Sequence, residues 1–105
     1  MIKLSAKRRG DITEMQLCHH FLDEGYEVFK NISSTGPVDF IVLNINTHEI
    51  TLFDSKTPSI HTRQDGSVKM SCSATTTKQK ELGVKVVLMY QDTIYSDEDR
   101  VGVQI

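Results

Sequence analysis

The run Val-Asp-Phe-Ile-Val-Leu at 38–43 constrains this chain more than any other stretch. Side chains alternate along a strand. Val38, Phe40 and Val42 therefore share one face, and Ile41 and Leu43 share the other. A strand apolar on both faces belongs inside a sheet that is covered on both sides. The chain must build layers, and it has 105 residues with which to do it. That length supports one domain, 1–105, folding about two thirds of its surface away from water. No internal repeat or long linker divides it.

The remaining elements follow from periodicity and punctuation. Residues 11–24 read as a helix with Met15, Leu17, Cys18, Phe21 and Leu22 on one stripe and Gly25 as its stop. Glu14 falls at the N-terminal end of that same stripe. Strands are expected at 26–32, 38–43 and 50–56, with Asn46-Thr47 at the centre of the second reversal. The polar stretch 57–73 is a loop or a short extra hairpin around Asp65-Gly66. A short helix over 74–82, ended by Gly83, precedes a buried strand 84–90, and 101–105 forms a last edge strand. Helix, three-strand meander, helix and strand make an α/β fold, a central mixed sheet flanked by helices.

Charges interrupt this pattern in one place. If the reversal centres on Asn46-Thr47, Leu43 faces Ile50, Ile41 faces Leu52, and Asp39 faces Asp54. Two carboxylates then stand about 5 Å apart as cross-strand neighbours. Their repulsion costs roughly 3 kcal/mol at an effective dielectric near 20. One carboxyl can stay protonated, Lys56 can neutralise part of the charge, or a divalent cation can sit between them. The last option uses every part, because Mg²⁺ takes oxygen ligands from one or two carboxylates, with water and phosphate completing its shell. Lys56 shares a face with Asp54 and can polarise an attacking water.

"GPVDF" followed one hairpin later by "LFDSK" resembles the signature of the PD-(D/E)xK nuclease superfamily. Its first half reads P-V-D rather than P-D. "RRGDITEMQLCHHFLDEGYEVFK" is similar to the first helix and strand of Holliday-junction-resolvase-like members, which carry a glutamate where Glu14 stands. "KQKELGVKVVLMY" resembles the helix and strand closing that core. The resemblance implies a restriction-endonuclease-like core and a metal-dependent phosphodiesterase acting on DNA. In it Asp39 and Asp54 hold Mg²⁺, with Mn²⁺ able to substitute. The Ser55 carbonyl adds a ligand, Glu14 completes the acidic cluster, and Lys56 activates water. Gln79 falls where several members carry a functional glutamine or lysine.

Net charge is −2, which excludes a strongly basic nucleic-acid coat, but the basic residues are grouped. Lys3, Lys7, Arg8 and Arg9 crowd the N-terminus, and Arg63, Lys69, Lys78 and Lys80 follow the hairpin. Lys7, Arg8, Arg9, His61, Arg63 and Lys78 are the candidate DNA contacts. Ser33, Ser34, Thr35 and Gly36 are candidate backbone donors to phosphate. His19, His20 and His48 have no partner at zinc spacing and read as structural or surface residues. No apolar run approaches a membrane span, and no secretory leader is expected. Cys18 and Cys72 fit a reduced, cytoplasmic setting.

The expected function is therefore a structure-specific, junction-resolvase-like DNA endonuclease. A site-specific phage or intron-encoded homing-type enzyme would use the same core, and a non-catalytic nucleic-acid-binding module is the other class. Since one active site cuts one strand, a homodimer or higher homo-oligomer is expected.

Overall fold

The computed structural model describes residues 2–33, 35–71, 75–90, 93–97 and 102–104. Helix α1 runs Ala6–Asp23, five residues earlier than its periodicity predicts. Ser5 explains the start: its side-chain oxygen accepts the Arg8 N–H at 3.1 Å, an N-cap that carries the helix through Gly10. The helix ends as expected at Gly25, with φ at 95°. The Tyr26 N–H returns to the Phe21 carbonyl and the Gly25 N–H to Leu22, both at 3.0 Å.

Strands β1 (Glu27–Lys30), β2 (Phe40–Leu43) and β3 (Ile50–Lys56) form the antiparallel meander. Leu43 pairs with Ile50 and Ile41 with Leu52, the register that a turn centred on Asn46-Thr47 requires. The Asn44 side chain holds that turn by accepting the Asn46 and Thr47 N–H groups. The segment after β3 is a hairpin, β4 (Ser59–Thr62) and β5 (Val68–Ser71), paired as its own two-stranded sheet. Helix α2 (Thr77–Leu82) starts on a Thr76–Gln79 capping box and ends at Gly83, φ 73°. It returns the chain to β6 (Lys85–Tyr90), which lies parallel to β3. β7 (Thr93–Asp97) and β8 (Gly102–Gln104) extend the sheet to six strands in the order β1-β2-β3-β6-β7-β8. β7 has no counterpart in the sequence-based element order; antiparallel pairing to β6 creates it.

α1 packs on one face of the sheet. Leu17 and Phe21 meet Phe40, Val42, Phe53, Val87 and Ile94, with Phe21 and Phe53 stacked at 5.1 Å between ring centroids. Met15 and Leu22, expected on the buried stripe, are more than half exposed, because only the narrow row through Leu17 and Phe21 reaches the sheet. The opposite face corrects a second expectation. Val86 and Leu88 are buried, but along the in-register row Ile41 and Leu52 are only half-buried and Phe29, on the edge strand, is 55% exposed. Strand β2 is fully covered on the α1 side alone. No helix among the described residues is long and apolar enough to cross a membrane.

Candidate active site

β2 and β3 end together, and this places the charged residues. Pairing starts at Phe40–Phe53, and the Asp39 N–H still donates to the Phe53 carbonyl at 2.9 Å. Asp39 is thereby held at the mouth of the sheet rather than within it. Its Oδ2 accepts the Ser55 N–H at 2.7 Å and the Ser55 hydroxyl at 3.2 Å. Burial first, and the Asp54 carboxyl second, push the Asp39 pKa up to about 6 from 3.8.

Asp54 is buried, and its Oδ2 accepts no hydrogen bond. Lys56 Nζ stands 3.0 Å from that oxygen as an ion pair without hydrogen-bond geometry. A buried carboxylate oxygen with no donor is costly unless another positive centre meets it. Two adjacent carboxyls, one reluctant to ionise and one short of a donor, suit a hard divalent cation such as Mg²⁺. Asp39 and Asp54 would be the ligands, and the donor set fits.

A groove of about 380 Å³ opens beside the pair, lined by Lys7, Glu14, Lys30, Asn31, Asp39 and Ser55 among others. Glu14 lines the same groove from α1. It stands 4.0 Å from Lys30 as a loose ion pair, and its charge adds to the raised pKa of Asp39. Among the described residues, no three His, Cys, Asp or Glu side chains converge as a ligand group, and Glu14 stands apart from the Asp39–Asp54 pair. Cys18, one turn beyond Glu14, has its thiol pKa raised by burial and then by Glu14, so it packs as a neutral thiol.

Gln79 is buried, and each end of its amide is bonded. Oε1 accepts the Thr76 N–H at 3.0 Å, and Nε2 donates to the Pro37 carbonyl at 3.0 Å. It supports the strand that bears Asp39, and neither end of its amide is free. The predicted DNA contacts fall in three places. Lys7 lines the groove and pairs with Asp11 at 3.1 Å, while Arg8 and Arg9 follow it on α1. His61 and Arg63 are exposed on the β4–β5 hairpin, whose tip is tied by Asp65 accepting the Ser67 N–H and hydroxyl. Lys78 is exposed on α2, 3.9 Å from Glu81. The N–H groups of Ser33 and Thr35 are taken within their own loop by Asn31 Oδ1 and Ser33 Oγ, so they are not free for phosphate. Ser34 and Cys72 lie outside the described residues. Asn31, unmarked in the sequence, bonds through its side chain to the Thr35 and Val38 carbonyls and the Ser33 N–H.

The helix-backed mixed sheet, with its acidic pair at the meander's open end, has an endonuclease-like α/β fold. A solved structure of a bacterial homing endonuclease, I-Ssp6803I, superimposes with a TM-score of 0.66 at 12% identity. The match covers 98% of this chain and 76% of that one. No protein-family model matches the chain, and no curated protein does.

Proposed function

We propose that this chain is a metal-dependent endodeoxyribonuclease of the PD-(D/E)xK type. One observation carries the reading: Asp39 tied at 2.7 Å to the Ser55 N–H, next to the buried Asp54 whose Oδ2 stands 3.0 Å from Lys56, at the mouth of an endonuclease-like sheet. Asp39, Asp54 and the Ser55 carbonyl would hold Mg²⁺ or Mn²⁺, with Glu14 reaching it through water. A bound cation there supplies a Lewis acid for a phosphodiester and lowers the pKa of its water. Asp39 must lose its proton for the cation to bind. Lys56 orients the attacking water and offsets charge that builds on the phosphoryl oxygens. Lys7, Lys30 and Arg63 hold the DNA backbone on either side of the groove.

Duplex DNA cut at a defined site is the favoured substrate, because the solved structure that shares this fold is a homing endonuclease. The junction-resolvase reading rests on the first helix and its glutamate. Both ask for two copies of the chain to cut two strands, and for an intracellular setting where DNA is met. Labelled plain duplex, four-way junction and single-stranded DNA, incubated with Mg²⁺ or EDTA, distinguish them. Metal-dependent cuts at a few duplex positions support the homing-type reading, and paired nicks in the junction alone support the resolvase. Binding with no cleavage of any substrate would leave a nucleic-acid-binding module.

A further inference from the structure

We infer that Asn31 is a positioning residue of the candidate site, holding through its amide the peptide that aims Asp39. The inference rests on the nuclease reading for its consequence, and on the hydrogen bonds alone for its geometry. Asp39 follows a loop, 32–38, and a loop does not fix a side chain by itself. Here three successive carbonyls are each capped. Gln79 Nε2 donates to Pro37 at 3.0 Å, Asn31 Nδ2 to Val38 at 2.8 Å, and the Asn31 N–H to Asp39 at 2.9 Å. Asn31 thus grips the peptide units on both sides of the Asp39 side chain. Its Oδ1 accepts the Ser33 N–H at 2.9 Å, closing the loop from the other end. Gly36, at φ 116°, brings the chain in close to Asn31: a Cβ there would stand 3.6 Å from Nδ2.

The residue type is specific. Asparagine offers a donor and an acceptor one methylene from the backbone; aspartate lacks the donor, and alanine lacks both. Asn31 is itself exposed, so the loss of its contacts bears on the loop more than on the core. What the loop carries is the aim of a carboxylate, and a ligand or base misplaced by 1 Å forfeits much of its effect. Groups that orient metal ligands from behind typically change metal affinity 10- to 100-fold when removed, roughly.

The Ser55 amide reports the aim directly, because it donates to Asp39 Oδ2 at 2.7 Å. In ¹⁵N-labelled full-length chain without metal, Asn31→Ala should shift the Ser55 resonance and speed its exchange about tenfold, while Val87 in the sheet is unmoved. The same-sized Asn31→Asp, which keeps the Ser33 acceptor and loses the donor, should do likewise. Mn²⁺ titrated by calorimetry should bind Asn31→Ala about tenfold more weakly than wild type. A Ser55 amide unchanged in both variants overturns the inference. So does unchanged Mn²⁺ affinity where the wild type binds the metal. If the wild type binds no Mn²⁺ and cuts no DNA, the nuclease reading falls, and the Ser55 amide still decides whether Asn31 positions Asp39.

Discussion

The Ser55 N–H donates to Asp39 Oδ2 at 2.7 Å, tying the residue between Asp54 and Lys56 to the carboxylate across the hairpin. One short bond thereby links both halves of the acidic motif. It holds Asp39 against Asp54 even though burial and that contact resist its ionisation.

Asp39 predicts a distinctive pH profile. Its folded pKa, about 6, lies above the 3.8 of a free aspartate, so the native state holds more protons between those values. The metal-free protein should lose stability as pH rises from about 4 to about 6 and level off beyond. Urea midpoints across this window check the sign. Asp39→Asn should remove the decline; the same slope in that variant would rule out Asp39 as its source. Mn²⁺ affinity should fall below about pH 6, because the proton competes with the ion.

Replacing Asp39, Asp54 or Lys56 by alanine should lower Mg²⁺-dependent cleavage by about 10³-fold or more. Binding of the same DNA in Ca²⁺ should persist. Retained cleavage in any of the three would sink the proposed mechanism.

Arg63 sits exposed at the start of the β4–β5 turn, where its N–H donates to the Ser67 carbonyl at 2.7 Å. Arg63→Ala should weaken binding to all DNA sequences alike and reduce the salt slope by about one. An unchanged slope would take the hairpin off the DNA path.

Gly10 lies inside α1 with nothing within 4 Å of a Cβ built on it. Gly10→Ala should stabilise the fold by about 0.5–1 kcal/mol, as seen in thermal or urea unfolding. A loss of stability would mean that the helix is held there by something other than its own backbone. Leu17, fully buried against the sheet, should cost about 3 kcal/mol as alanine.

Much of this was legible in one dimension. The alternation of 38–43 and 50–56, with the Asn46-Thr47 reversal, determined the register Leu43–Ile50 and Ile41–Leu52, while the ladder stops at Phe40–Phe53, short of Asp39 and Asp54. Gly25 and Gly83 marked both helix ends, since each takes the positive φ that its cap requires. The start of α1 at its Ser5 N-cap was missed, because the helical stripe alone starts later. These features are local, and local sterics and periodicity decide them.

What the tertiary structure decided depends on partners distant in sequence. β7 exists because β6 offers it an edge. Phe29 stays exposed on β1, at the edge of the sheet, although its in-register neighbour Ile41 is half-buried. Gln79 joins Pro37 across 42 residues, and Asn31 closes on Val38 only once β1 and β2 are paired. An amide in a sequence carries no mark of the carbonyl it will meet. The chain's pattern set the hairpin that carries Asp39 and Asp54, and only the packed fold supplied the amides that hold Asp39 in aim.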